Sequence, residues 1–266
     1  SSVLPDQSFL TGVNSAYNFI DLDGSDEYID CGTGTQSLIN DATKTVSAWV
    51  NIDSGTSGEK RIIVFHKSSG ATRWGLGWNE PSNANKFFAS YNPSDSHSRV
   101  YSSSTYSAGS GWYHIASVQD GANVTLYING VSKGTASNAS ASPNVTLSSQ
   151  STLIGNLAGY SYHWNGKIGQ TSVWNKALSA TEISAIYTLG RHGNLLDSYS
   201  DNLKGYWAMS ALDASTGLSD VGNGTIYDRS GQSNHGTATN TESADLKSSP
   251  NAEPNGYAKG DTNRST

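Results

Sequence analysis

Cysteine occurs once in the 266 residues, at Cys31, and methionine once, at Met209. A single thiol excludes an internal disulfide and every cysteine-built metal site, and it leaves the redox compartment open. As a small apolar side chain, Cys31 belongs in a core. Charge is also thin. Asp, Glu, Lys and Arg together make 14% of the chain, the net charge is −6, and Lys60-Arg61 is the only adjacent basic pair. Nucleic acid is therefore not an expected partner, because phosphate binding gathers several Lys or Arg on one face. No apolar run approaches the roughly 20 residues that span a bilayer, so membrane insertion is not expected. The opening Ser-Ser-Val-Leu-Pro-Asp has neither the basic nor the apolar region of a signal peptide, and it carries no methionine, which fits an excised initiator or a longer precursor. Glutamate, at six residues, is scarce among the helix formers. Gly, Ser, Thr and Asn dominate instead, the composition of a loop-rich β protein long enough for a sizeable core.

Short alternating segments closed by turn residues recur along the chain, as an all-β sandwich requires. Val46, Ala48, Val50 and Ile52 alternate against Thr45, Ser47, Trp49 and Asn51, which predicts a strand with two differently covered faces. Residues 62–65, 74–78 and 86–91 read as three more. From Trp112 to Thr135 the order strand, Asp120-Gly121, strand, Asn129-Gly130, strand predicts a three-stranded meander, since these dipeptides supply the positive φ of two-residue turns. Asn165-Gly166 reads as the same device ahead of a strand from Lys167 to Trp174. One helix is predicted: Ser179-Ala-Thr-Glu182 fits a capping box, Leu178 and Ile183 are spaced for a hydrophobic staple, and Gly190 closes the C-terminus.

The stretch Asn18-Phe-Ile-Asp-Leu-Asp-Gly-Ser-Asp-Glu-Tyr-Ile-Asp30 holds five acidic side chains around one glycine. An EF-hand loop needs acidic ligands at positions 1, 3 and 5, glycine at 6 and glutamate at 12. Counting from Asp21 places Ser25, Asp26 and Gly32 at the last three, so that reading fails. What remains is a hairpin, with Phe19-Ile20 leading in, Asp23-Gly24 turning the chain and Tyr28-Ile29 leading out.

Several of these residues match a known pattern. Asn18-Phe19 with Asp23 to Gly32, then Thr45-Val-Ser-Ala-Trp-Val50, resembles the opening of laminin-G-like, concanavalin A-like domains. Trp112 to Val118 with Asp120-Gly121 and Leu126 to Gly130 resembles their central meander; Ile154-Gly-Asn156, Asn165 to Gly169 and Val173 to Ser179 with Glu182-Ile183 resembles their closing strands and helix. The resemblance implies an all-β, concanavalin A-like jelly-roll sandwich of two antiparallel sheets with one short helix, over residues 1–197. Residues 198–266 form a C-terminal segment. Within it, Leu203 to Met209, Ile226 to Gly231 and Asn234 to Thr237 resemble a segment that in many such domains precedes the sandwich. Here it follows, either as a permuted strand completing the same sandwich, as the start of a second repeat, or as an assembly arm reaching another subunit. Lys247 to Thr266 is too polar to order itself, unless a neighbouring chain holds it. The overall order is similar to laminin-G-like structural proteins of marine bacteriophages.

Hydrolases on this fold resemble one another in a Glu-x-Asp-x-Glu strand. Here no two glutamates share a predicted strand, Glu182 is taken by its cap, and no Gly-x-Ser-x-Gly or paired histidines occur. A non-enzyme is expected. Binding modules similar to this one often carry a structural calcium ion, and Asp228 with Asn234 is the candidate ligand pair, with Asp95 near Asn92 a second; each competes with an ordinary Asx turn. Glycan binding would use exposed rings with polar groups beside them. The least strand-like aromatics are Trp78, Tyr91, Tyr160 and Tyr162, with Asn92, Asp95, His97 and Arg99 nearby, whereas Trp49, Trp112, Trp164 and Trp174 fall in framework segments. The sequons at Asn123, Asn138, Asn144, Asn223 and Asn263 read as chance in so Asn- and Ser-rich a chain.

The expectation is a non-enzymatic virion surface protein of a bacteriophage that decorates a capsid or tail and holds host-surface glycans. Its partners would be other virion proteins or copies of itself, bound through the C-terminal arm. A secreted carbohydrate-binding lectin module is the alternative, and a polysaccharide-degrading enzyme on the same fold the second; the location is the virion surface or the extracellular space.

Overall fold

A computed structural model describes residues 19–39, 42–66, 73–91, 98–137, 151–209, 223–241 and 245–247. Strand β3 (Thr43–Ile52) shows how the sandwich is built. Val46, Ala48, Val50 and Ile52 enter the core between two sheets, and Thr45, Ser47 and Trp49 on the other face are buried as well. A strand covered on both sides belongs in the middle of its sheet. It lies there, between β8 (Trp112–Asp120) and β12 (Asn165–Trp174).

The remaining strands in chain order are β1 (Phe19–Asp23), β2 (Tyr28–Asp30), β4 (Lys60–His66), β5 (Arg73–Glu80), β6 (Asn83–Tyr91), β7 (Arg99–Tyr101), β9 (Asn123–Ile128), β10 (Val131–Ser137), β11 (Leu153–Ile154), β13 (Leu203–Trp207), β14 (Asn223–Ile226), β15 (Gly236–Thr239) and β16 (Leu246–Lys247). Sheet one runs β10-β9-β8-β3-β12-β1-β16, and sheet two β14-β15-β2-β11-β4-β5-β6-β7; all the pairings are antiparallel. The chain is therefore the expected jelly-roll sandwich. Strand β13 lies end to end with β1 along one edge of β12: β1 pairs with Asn165–Ile168 and β13 with Thr171–Trp174. Strands β13 to β16 thus add to both sheets of their own chain. Their segment also sends Trp207, Met209, Ile226 and Ala238 into the shared core.

A short helix α1 (Gly34–Leu38) follows β2, and α2 (Ala180–Leu189) covers the back of sheet one. The capping box forms as the sequence predicts. Ser179 Oγ accepts from the Glu182 amide at 3.2 Å, and the Ser179 amide donates to Glu182 Oε2 at 2.7 Å. Leu178 and Ile183 are buried together beneath the helix, and Gly190 ends it at φ 82°.

Three local expectations change. The acidic stretch around Asp23-Gly24 is an arch and not a hairpin, because β1 joins sheet one and β2 joins sheet two. Both edges of β1 are already taken, by β12 and β16, so β2 has no edge of β1 to pair with. Glycine is required at the crossing: Gly24 has φ +80°, and a Cβ there would lie 2.7 Å from Asn165 Cβ. Gly166 lies inside β12 rather than in a turn. It lets β3 approach, since its Cβ would meet the Asn51 carbonyl oxygen at 2.3 Å. In the meander, Asn129 and Gly130 have φ 50° and 75° as the turn demands, but the first turn is centred one residue later, on Gly121-Ala122, with Gly121 at φ 59°.

Candidate functional site

Alternation decides what faces outward on sheet two. Ile29, Ile62, Phe87, Ala89, Val100 and Ile154 enter the core, so Tyr28 and Asp30, Arg61, Phe88 and Ser90, Arg99 and Tyr101, and Leu153 project from the opposite face. Gly77 of β5 leaves room on this face, and the Phe88 ring fills it: a Cβ on Gly77 would lie 2.4 Å from Phe88 Cζ.

Around Phe88 the side chains form a ladder. The Arg61 guanidinium lies 4.8 Å from the ring centroid and that of Arg99 lies 4.7 Å away, with Tyr162 5.6 Å from Arg61. Tyr160 stacks on Tyr162 at 5.3 Å with the rings 9° apart. The two positive charges meet two carboxylates within the protein, Glu59 and, at 4.0 Å from Arg99, Glu80. Glu59 forms ion pairs with Arg61 and, at 3.0 Å, with Arg99, and Arg61 also donates to Ser90 Oγ at 3.1 Å.

Tyr160 and Tyr162 stand on a loop anchored at both ends. Leu157 and Trp164 are fully buried, the Trp164 amide donates to the Gly155 carbonyl at 2.7 Å, and the Arg61 amide donates to the Tyr162 carbonyl at 3.0 Å. The same loop, through Ala158 and Gly159, walls a concavity of about 290 Å³ whose other sides are Tyr28, Asp30, Ser151, Leu153 and Asn156. Asn156 is 6% exposed, and its Oδ1 is buried with no hydrogen-bond partner among the described residues. Asp30 Oδ1 accepts from the Gly32 amide at 2.8 Å. Tyr28 is braced by the His163 ring at 6.3 Å. The concavity therefore offers the Asp30 carboxylate and an aromatic ring, with the Asn156 amide oxygen sealed in the wall behind them.

Of the residues proposed from sequence, Tyr160 and Tyr162 come together as an open stack, with Tyr160 46% exposed. Trp78 is a correction: it is 1% exposed in the core, and its indole N–H donates to the Tyr106 carbonyl at 2.9 Å. Tyr91 is likewise packed into the core, where burial pushes its phenol pKa up. Arg99 is held by Glu59 and Phe88 as a framework group. Asn92, Asp95 and His97 lie outside the described residues. Trp49, Trp164 and Trp174 are core residues, and half-buried Trp112 packs under the Arg191 guanidinium at 4.3 Å.

Asp228 and Asn234 do not fit a cation. Asp228 Oδ1 accepts the amides of Tyr206 and Ser230, each at 2.9 Å, and Oδ2 accepts that of Asn234 at 2.9 Å. Three N–H dipoles directed at one carboxylate supply the positive partner that a metal would otherwise provide. Asn234 serves through its backbone, whose carbonyl accepts the Trp207 indole N–H at 3.0 Å. Among the described residues no group of three or more His, Cys, Asp or Glu side chains is placed to hold a metal.

Glu27 has the most displaced carboxyl. Burial, reinforced by the Asp245 and Asp23 carboxylates, raises its pKa to about 8 against the pull of the Asp23 amide. It does not line the concavity. Tyr28, Asp30 and Asn156 were the residues missed from sequence. Tyr28 and Asp30 flank apolar Ile29 in an alternating trio, which was the available signal.

A family profile described as the concanavalin A-like lectin/glucanases superfamily matches residues 23–184, more than half of the chain. The chain belongs to this superfamily. No curated protein matches the sequence of this superfamily member. Among solved structures, it is similar to a Bacteroides ovatus protein provisionally described as carbohydrate-binding, with 15% identity and a TM-score of 0.55 over 85% of this chain and 58% of that one. It is also similar to the CBM40 of a Ruminococcus gnavus IT-sialidase, solved bound to α2,3-sialyllactose, with 14% identity and a TM-score of 0.52 over 66% and 100% of the two chains. A heptameric SAP-like pentraxin of Limulus polyphemus gives 16% identity and a TM-score of 0.50 over 66% and 83%. At such identities the likeness establishes the sandwich fold. The chain spans 58% of the length of the Bacteroides protein.

Proposed function

We propose that this concanavalin A-like sandwich is a non-catalytic carbohydrate-binding module whose site is the outer face of sheet two around the 157–163 loop. One observation carries the reading: an open Tyr160–Tyr162 stack adjoins a concavity of about 290 Å³ into whose wall is built the buried, unpartnered amide oxygen of Asn156. Aromatic faces stack on the apolar side of a sugar ring, and a small set of fixed polar groups selects its hydroxyls. The carbohydrate-binding descriptions of two structural neighbours support the same assignment.

The enzyme alternative calls for a pair of carboxyls, and among the described residues Asp30 is the one carboxylate that lines this concavity. The virion-surface reading rested on the order of segments and on composition, with the C-terminal segment as its assembly arm. Strands β13 to β16 instead pack on their own sandwich, so they lend that reading no support, and residues 210–222, 242–244 and 248–266 lie outside the described structure.

A glycan array followed by titration calorimetry tests the proposal. The wild-type chain should bind at least one glycan class, and Tyr160→Ala should weaken binding on the order of tenfold, the equivalent of a lost stacking contact, with an unchanged circular dichroism spectrum. Binding untouched by both Tyr160→Ala and Tyr162→Ala would place the ligand elsewhere.

A further inference from the structure

We infer that the concavity walled by Asp30, Asn156 and the 157–159 turn admits a single uncharged pyranose and turns away acidic sugars such as sialic acids and uronates. The inference rests on the carbohydrate-binding reading and specifies its ligand class.

Size sets the first limit. A cavity of about 290 Å³ lies at the lower bound for organic ligand pockets, so it takes one ring and not an extended chain. The remainder of an oligosaccharide would run outward over the Tyr160–Tyr162 stack, which continues from the same loop.

Hydrogen-bond polarity sets the second. Asn156 Oδ1 is buried without a donor, and Asp30 Oδ2 has no donor among the described residues, since the Gly32 amide is held by Oδ1. Both are acceptors. A buried acceptor left unpaired is costly, so a ligand gains by presenting an O–H to Asp30 Oδ2, and gains again where its entry turns the Asn156 amide, whose Oδ1 is sealed in the wall, towards a second O–H. Sugar hydroxyls do so; a carboxylate, which only accepts, does not.

Charge sets the third. Among the described residues Asp30 is the only carboxylate lining the concavity, and no Lys, Arg or His of theirs lines it. The nearby guanidiniums of Arg61 and Arg99 are already engaged by two carboxylates, Glu59 between them and Glu80 beside Arg99. An acidic sugar would enter beside a like charge with no cation among the described lining residues to receive it, and like charges at contact distance repel.

The test is an array of matched glycan pairs that share a core and end in either a neutral hexose or a sialic or uronic acid. It is probed with the wild-type chain and with Asn156→Ala, Asp30→Asn and Tyr160→Ala, each checked for folding by thermal melting. The expected result is a preference of at least tenfold for neutral ends. Asn156→Ala should abolish it, and Asp30→Asn should narrow it by admitting the acidic partners. Acidic-ended hits that depend on Asn156 would overturn the inference and leave the binding module standing. Neutral hits indifferent to both Asn156→Ala and Asp30→Asn would also overturn it, because the ring would then lie outside the concavity. No binding to any glycan would overturn the carbohydrate reading itself.

Discussion

The backbone amide of Tyr206 donates to Asp228 Oδ1 at 2.9 Å, joining a strand of sheet one to the connection between two strands of sheet two. The return bond runs from the Arg229 amide to the Tyr206 carbonyl at 2.8 Å. Asp228 is buried and accepts three amides in all, so its carboxylate fixes where the displaced C-terminal strands cross the sandwich. Asp228→Ala would leave those amides without acceptors, at about 1–3 kcal/mol for each one that water cannot reach. Urea unfolding should therefore show a loss of about 3–5 kcal/mol, with a smaller loss for Asp228→Asn, which keeps one carbonyl oxygen. A chelator should leave the wild-type midpoint unchanged; a drop matching that of Asp228→Ala would restore the metal assignment.

The same crossing predicts what truncation does. A chain ending at Asn202 would lack Trp207, Met209, Ile226 and Ala238, all of them fully buried. It would also expose the edge of β12 along Thr171–Trp174. Loss of a single large core side chain costs about 3–5 kcal/mol, and a whole domain is stable by only about 5–15 kcal/mol. Residues 1–202 alone should therefore fail to fold, seen as loss of the near-ultraviolet dichroism of the buried tryptophans. A cooperative melt of that fragment would show that the C-terminal strands are an accessory.

The sandwich was legible because its strands carry their own period. Val46 to Ile52, the Asn129-Gly130 turn and the Ser179–Glu182 box each encode a local geometry that packing then confirms. What local pattern does not encode is partner choice. Asp23-Gly24 looks the same whether the chain turns back within a sheet or crosses to the other one, and the occupied edges of β1 decide it. Gly166 shows the same ambiguity, since a glycine demanded by a close strand cannot be told by sequence from one demanded by a turn. The site was half legible. Tyr160 and Tyr162 stood out among the least strand-like aromatics, whereas Trp78 and Tyr91 carried the same signal and are core, because chemical type does not reveal which face of a strand looks outward. Asn156 and Asp30 meet only through the pairing of β2 with β11, a long-range fact.

His114 predicts acid sensitivity. Its ring lies 5.2 Å from Trp49 and 6.3 Å from Tyr187, both ring nitrogens lack hydrogen-bond partners, and burial lowers its pKa to about 3. Below about pH 6.5 the unfolded chain takes up a proton that the folded chain refuses until about pH 3, so stability falls as pH drops through that window. His192, lowered to about 4 chiefly by burial and then by Arg191, adds to the same slope. His114→Phe keeps a ring beneath the helix and removes the titration. Its stability relative to wild type should grow by roughly tenfold in the folding equilibrium for each pH unit below 6.5. Melts of the two proteins from pH 7 down to pH 4 decide it, and curves that stay parallel would show that the imidazole is protonated in the fold.

Glu27 predicts the opposite slope on the other side. Its Oε2 accepts from the Asp23 amide at 2.6 Å across the arch between the sheets, and the Asp245 carboxyl, just ahead of β16, reaches it from the C-terminal segment. With its pKa raised from 4.5 to about 8, the folded chain keeps a proton that the unfolded chain has released. The associated stability is complete below about pH 4.5, is lost as pH rises towards 8, and changes no further above it. Glu27→Gln preserves an oxygen for the Asp23 amide and introduces no charge beside Asp245. The variant should therefore match the wild type near pH 4.5 and melt at a higher temperature at pH 8 and above. Because His114 contributes equally to both proteins, subtracting one melting curve from the other isolates the Glu27 window. A flat difference would mean that the carboxyl ionises normally and that the arch is held by the Asp23 amide alone.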